Sequence, residues 1–319
     1  MKTKKLPFIV IALTVGTAVV FGILAWKGYG SQNILKRISQ MSGTFSQSSE
    51  RDEGETGVSD QHAGRLQLFI LAGQSNMTGL GDPPQAETKT DSRIYTFSND
   101  YRWRLAKEPV DDPRNQVDRV SEDQDAGFGP SVSFAKTLLE QNPNMAIGLI
   151  PCAKGGSSIA EWRRSLQDQT LYGSCLKRVR AASVMGKVVG FLYFQGEIDT
   201  VDPKEQPKKT LLPNQWASEF AMLVKNWRRD LASPELPVVF AQIGTNTEPD
   251  RFKNWAIVQA QQSQVQLPFT AMITTNDLAL KDYVHFTTES YQVIGQRFAE
   301  TYMRMQAVKS AGALSDKVE

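Results

Sequence analysis

LQLFILAGQSNMTG, residues 66–79, is the stretch on which the reading of this chain turns. Leu66, Leu68, Phe69, Ile70 and Leu71 form a short apolar run that suits a buried strand of a parallel sheet. Ala72-Gly73 permits a sharp turn, and Gln74, Ser75 and Asn76 come immediately after it. A serine at the carboxyl end of a buried strand sits where open α/β sheets bind their ligands. It is also a common helix N-cap, and this window alone does not separate the two roles.

Later segments repeat the pattern. Helices are predicted over residues 130–141, 171–183, 215–231, 252–265 and 289–305, and strands over 145–150, 187–194, 237–243 and 269–274. With the opening strand this gives five strands alternating with helices, hence a parallel sheet covered on both faces. Between them, residues 79–129 form a long irregular stretch in which Ile94–Phe97 is a candidate short strand. Its aromatics Tyr95, Phe97, Tyr101 and Trp103 serve either packing or a ligand, packing being the commoner use.

The chain divides into an N-terminal membrane anchor or signal sequence (1–29), a disordered linker (30–64), one α/β domain (65–306) and a short tail (307–319). Leu6–Trp26 is an uncharged run of 21 residues, enough to cross a bilayer as a helix. Its length and the absence of an A-x-A-like flank favour an uncleaved anchor over a signal peptide, with the domain outside the cytoplasm (periplasmic or extracellular). Secretion after cleavage is the alternative. The formal charge of +2 comes from four lysines in residues 1–29, and the rest of the chain is slightly acidic, which excludes a nucleic-acid footprint. Cys152 and Cys175 are the only cysteines; export would permit a bridge, but sequence cannot show that they meet. Neither they nor the two histidines have metal-site spacing. His62 reads as a solvated linker residue.

Chemistry enters at the carboxyl ends of the strands. In a parallel sheet these ends share one edge, so distant segments converge. The first strand ends at Ser75, the second at Pro151-Cys152-Ala153-Lys154-Gly155-Gly156, and the third at Gln195-Gly196-Glu197; beyond the fifth lies Asp282-Tyr283-Val284-His285. A serine needs a base to take its proton, and His285 is the one histidine of the domain. Asp282, three residues earlier, can receive the other ring N–H; Asp277 is an alternative carboxylate. An oxyanion hole requires donors, for which the Ser75 N–H, the Gly155-Gly156 backbone and the Gln195 carboxamide are candidates. The two glycines serve equally well as a tight turn, and Glu197 either holds its own turn or adds a second carboxylate. Gln74 and Asn76 flank the serine in substrate or structural roles. Trp162 is a core residue or a sugar-stacking surface, and Arg163 or Arg164 is a solvated cation or a partner for a sugar carboxylate.

Together, GQSNM, the P-x-x-x-G-G-x-x-I-x-x-W block, QGE and LKDYVHFTTESYQVIGQRFA resemble the sialate O-acetylesterase-like domain of the SGNH hydrolases, the group that includes carbohydrate esterase family six. The resemblance spans Leu66–Tyr302. It implies a flavodoxin-like three-layer α/β/α fold with a five-stranded parallel sheet, and cofactor-free hydrolysis of O-acetyl groups on carbohydrate. By position it implies Ser75 as nucleophile, His285 as base and Asp282 as its partner. Gly156 (or Gly155) and Gln195 would join the Ser75 N–H in the oxyanion hole. QGE stands in place of the asparagine motif of the wider superfamily. The competing readings are a non-catalytic carbohydrate-binding or scaffold protein on the same fold, and an esterase or acyl transferase acting on lipids or thioesters.

Overall fold

The computed structural model describes residues 57–83, 89–123, 125–205 and 212–315. All of them fall within one compact unit, Glu53–Glu319. The segment Leu6–Trp26 lies outside the described residues; among those described, no helix is long and apolar enough to cross a membrane.

The opening apolar run forms strand β1 (Leu66–Gly73), which lies inside the sheet and is buried on both faces. Its side chains alternate: Leu66, Leu68, Ile70 and Ala72 join one core, Phe69 and Leu71 the other. The further strands are β2 (Ile94–Phe97), β3 (Trp103–Leu105), β4 (Ile147–Pro151), β5 (Gly186–Phe194), β6 (Val238–Ala241) and β7 (Thr270–Ile273), in spatial order β3-β2-β4-β1-β5-β6-β7. Every pairing is parallel except β2 with β3. The expected five-stranded sheet is therefore corrected to seven strands. The additional two come from the long irregular stretch and extend one edge. The five predicted strands alone, β4-β1-β5-β6-β7, run in the flavodoxin order, which puts the topological switch point between β1 and β5.

Helices cover both faces. On the Phe69 side lie α2 (Ser131–Gln141) and α6 (Thr288–Ser315), packed so closely that a Cβ at Gly295 would meet the Pro130 carbonyl at 2.4 Å. On the other side lie α3 (Leu171–Ala182), α4 (Trp216–Asp230) and α5 (Trp255–Ser263). Their core is aromatic: Trp162, Tyr172, Tyr193, Trp216 and Trp227 are all buried, and a ring of this size removes roughly 150–250 Å² from water. The closing helix continues to Ser315, so the predicted tail from residue 307 is largely helical. His62 is not free in solvent. Its Nδ1 lies 3.0 Å from the Tyr95 hydroxyl, which fastens the end of the expected linker to β2.

The irregular stretch is ordered by a buried polar cluster. Arg178 of α3, 1% exposed, donates to Asp118 at 3.1 Å, to the Pro151 carbonyl at 2.9 Å and to Asn99. Asn99 in turn donates to Asp111 at 2.8 Å. A buried guanidinium cannot be left unpaired, so these partners fix the loop's path over the end of β4. Tyr95, Phe97, Tyr101 and Trp103 pack in or against the neighbouring core.

Cys152, just past β4, is bridged to Cys175 on α3 across 23 residues. By the chain-entropy argument, a loop of this length contributes about 3 kcal/mol. Reduction of the bridge, or the Cys152→Ala/Cys175→Ala double substitution, is expected to lower Tm by roughly 6–12 °C in a domain of this size. Thermal unfolding with and without reductant measures it; an unchanged Tm would show that the bridge adds nothing.

Candidate active site

At the carboxyl end of β1 the chain must leave the sheet without striking β5. Gly73 has φ +135°, and a Cβ there would lie 2.0 Å from the Phe194 carbonyl, so only glycine fits. Gln74 N–H then donates to that carbonyl at 2.8 Å, and the chain enters the single-turn helix α1 (Ser75–Thr78). Gln74, not Ser75, occupies the N-cap position. Ser75 is thereby free to direct its hydroxyl elsewhere.

That hydroxyl lies 2.8 Å from His285 Nε2, and His285 Nδ1 lies 2.7 Å from Asp282 Oδ2. An ionised carboxylate only accepts, so the imidazole proton belongs on Nδ1 and Nε2 is left to accept the serine O–H. Burial tends to raise the Asp282 pKa, but the Val284 and His285 N–H groups (2.9 and 2.8 Å, both to Oδ1) and the imidazole outweigh it, and the carboxyl sits below the usual range. Asp282 thus supports the histidine in its ionised form. Asp277 does not compete: it pairs with Arg297 at 2.5 and 2.7 Å, which lowers its pKa to about 2.

A second layer holds this constellation. The buried Asn76 carboxamide donates to Glu197 Oε1 at 2.5 Å and to the Val284 carbonyl at 3.1 Å, while its Oδ1 accepts the Tyr291 hydroxyl at 2.7 Å. Glu197 is therefore bonded to the residue after the serine and not to His285. Burial raises its pKa to about 7, and its Oε2 has no hydrogen-bond partner among the described residues. Gln74 Oε1 accepts from Gln195 Nε2 and Gly196 N–H, both at 3.3 Å, a structural use.

Several expected roles are corrected. Gln195 is fully buried, and its amide nitrogen donates to Asp199 at 2.6 Å and to the Ser157 carbonyl at 3.1 Å, besides its longer contact with Gln74. With its oxygen taken by the Trp216 indole N–H at 3.0 Å, it has no N–H left for an oxyanion. The Gly155 N–H is likewise committed, at 2.7 Å, to Asp123 Oδ2. Gly156, with φ +64° and open space where a Cβ would stand, is at the surface. The Ser75 N–H, in the first turn of α1, has no acceptor among the described residues. Trp162 is 0% exposed and donates to Ser157 Oγ at 3.1 Å, so it is core and not a sugar platform. Arg163 and Arg164 form two-pronged pairs with Glu219 and Asp230.

Asp123 is the residue that sequence reasoning missed. It accepts from Lys154 Nζ and Gly155 N–H, both at 2.7 Å, and from Thr78 Oγ1 of α1 at 3.3 Å. It so joins the irregular stretch, the glycine turn and α1. Nothing local in E-D-Q-D distinguishes it. Asp199 had a weak signal, lying two residues beyond Glu197, and it ties the Ile159 N–H (3.0 Å) to Gln195.

Residues 65–304 match the family described as carbohydrate esterase, sialic acid-specific acetylesterase. A probable carbohydrate esterase of Arabidopsis thaliana is 30% identical over 259 residues, covering 74% of this chain and 90% of that protein. The X-ray structure of that Arabidopsis protein superposes with a TM-score of 0.63 at 28% identity, over 75% of this chain and 98% of the other. A carbohydrate acetylesterase from Xanthomonas citri (TM-score 0.55, 21% identity, 73% of this chain and 55% of that one) and NanS (0.58, 17%, 77% and 98%) share the fold.

Three carboxyls set an expected pH dependence. Burial raises Glu197 and Glu108 to about 7 and Asp111 to about 6. Raised folded-state values mean that the unfolded chain releases these protons first. Their contribution to stability is therefore fully present below about pH 4 and is lost as pH rises toward 7. Glu197→Gln removes part of that slope, so its stability relative to the parent should improve by about 1–3 kcal/mol between pH 5 and pH 8. Urea unfolding of both proteins at the two pH values tests this, and parallel behaviour would contradict it.

Proposed function

This chain belongs to the sialic acid-specific acetylesterase family of carbohydrate esterases and is a carboxylic ester hydrolase, and on that premise we propose that Ser75, His285 and Asp282 cleave O-acetyl groups from a carbohydrate through an acetyl-enzyme. The observation that carries the proposal is the continuous chain of two short hydrogen bonds from the Ser75 hydroxyl through His285 to Asp282.

His285 Nε2 takes the Ser75 proton as Oγ attacks the acetyl carbonyl. Charge on the former carbonyl oxygen develops beside the Ser75 N–H, with the Gly155–Gly156 turn forming the adjoining wall. The imidazolium, stabilised by Asp282, then delivers its proton to the departing sugar hydroxyl. Water repeats the sequence on the acetyl-enzyme, releasing acetate and restoring the serine. Asn76 and Glu197 act before the reaction, by keeping α1 and the histidine loop in register.

The catalytic domain is assigned to an oxidising compartment outside the cytoplasm. The Cys152–Cys175 bridge supports that placement, since such bonds persist there and are rare in reducing cytosol. The basic, uncharged-run arrangement of residues 1–29 is compatible with a membrane tether.

Ser75→Ala is expected to lower kcat for p-nitrophenyl acetate and for acetylated xylan by roughly 10³-fold or more. Asp282→Asn, which favours the wrong imidazole tautomer, should cost about 10²–10⁴-fold. Acetate release with matched circular dichroism spectra is the measurement. Unchanged turnover in either variant would overturn the assignment of that residue.

A further inference from the structure

The charge that develops on an ester oxygen must meet backbone that is already in place, since moving it at that moment would cost what it supplies. In the proposed reaction two pieces of backbone wall that side of Ser75: the turn of α1 that carries the Ser75 N–H, and the turn 154–156. Each needs holding from outside. A four-residue helix has little stability of its own, and a glycine pair has no side chains to anchor it. One fastening of the glycine turn is Gly73, whose carbonyl accepts the Lys154 N–H at 3.0 Å and the Ser157 hydroxyl at 3.2 Å. The other is Asp123.

Asp123 Oδ2 accepts both the Gly155 N–H at 2.7 Å and the Thr78 hydroxyl at 3.3 Å. One carboxylate oxygen therefore clips the end of α1 to the glycine turn. The fit is close, since a Cβ at Gly155 would stand 3.0 Å from Asp123 Oδ1. Thr78 is buried and the Asp123 side chain is 14% exposed, so water competes little for these bonds. A lone negative charge this near the developing oxyanion would oppose the reaction. Lys154 removes that objection: its Nζ lies 2.7 Å from Asp123 Oδ1 and is steadied by the Glu122 carbonyl, also at 2.7 Å. Among the described residues, none of the Asp123 hydrogen bonds goes to Ser75, His285 or Asp282.

We propose that Asp123, neutralised by Lys154, is a positioning residue for the oxyanion side of the site: it sets the spacing between α1 and the 154–156 turn and takes no part in proton transfer. The role rests on the esterase reading and adds to it a residue from the long irregular stretch, remote in sequence from all three members of the triad. Removing the carboxylate releases both walls. Removing Lys154 alone leaves the clip to α1 and Gly155 but places an unpaired anion beside the oxyanion. The two losses have different causes, so they cancel in part when combined.

The test is steady-state hydrolysis of p-nitrophenyl acetate by the full chain, with inhibition by phenylboronic acid, whose boron takes the Ser75 oxygen to give a tetrahedral anion resembling the transition state. Asp123→Ala is expected to lower kcat about 10–10²-fold with little change in KM, and to weaken boronate inhibition in parallel. Asp123→Asn should recover part of the loss, because its amide oxygen still accepts from Gly155. Lys154→Met should also lower kcat, and Lys154→Met/Asp123→Asn should be more active than Lys154→Met. A merely structural contact gives the opposite order, each lost partner adding to the damage. The apparent pKa of the kcat–pH profile and the low-field His285 Nδ1–H proton resonance should stay as in the parent. Full kcat in Asp123→Ala, a double variant no better than Lys154→Met, or a shifted profile with loss of that resonance overturns the role. Thr78→Val, which removes only the clip to α1, decides the matter if Asp123→Ala does not fold: it should lower kcat at unchanged KM, and full activity there overturns the role. Absence of acetate release by the parent would overturn the esterase reading and this role with it, whereas parental activity that survives Asp123→Ala would overturn this role alone.

Discussion

The Asn76 carboxamide is the point on which the rest of the site depends. It is completely buried, so each of its hydrogen-bonding groups must be satisfied by protein. Its three partners come from three distant places: Glu197 after β5, Val284 beside His285, and Tyr291 on α6. A buried amide that lost any of these would incur about 1–3 kcal/mol. That penalty is what couples a serine at position 75 to a histidine 210 residues later. The fold delivers both to the same edge; the asparagine sets their register.

Holding the register has a cost, visible in Glu197. A carboxyl whose second oxygen lacks a partner is an uncomfortable group to bury, and its raised pKa expresses that discomfort. The same is true of Asp111 under the irregular stretch. Both lie in polar networks that position loops at the sheet's catalytic edge, and neither is needed for the core. The apolar faces of the sheet, filled by alternating β1 side chains and large rings, offset the cost of such groups. Stability and site geometry are therefore supplied by different layers of one molecule.

This division explains what is legible in the sequence. The buried strands can be read because Leu66–Leu71 and Lys187–Phe194 are continuous apolar runs, and the burial that makes them so is local in pattern. His285 stands out by its uniqueness in the domain, and Asp282 by its spacing. β3 is not readable, since Trp-Arg-Leu is three residues with no alternation to detect. Gln195 reads as a donor because a polar residue at a strand end looks available. Its true use depends on Asp199, Ser157 and Trp216, which no local pattern brings together. Asp123 escapes notice for the same reason. Its partners lie 31, 32 and 45 residues off, and E-D-Q-D in a polar loop has the composition of any solvated turn. Polar networks are three-dimensional statements, whereas hydrophobic periodicity is one-dimensional.

The same contrast separates the buried centre of the site from its rim. Ser75, Asn76 and His285 are buried and over-determined by hydrogen bonds, so their geometry tolerates little change. Arg251 sits at the rim, held by the ring faces of Tyr283 and Phe252 and by the half-exposed Glu248, in a loop that carries none of the triad. A rim held this loosely can vary while the buried core stays fixed, because the residues at the rim are not the residues that hold His285.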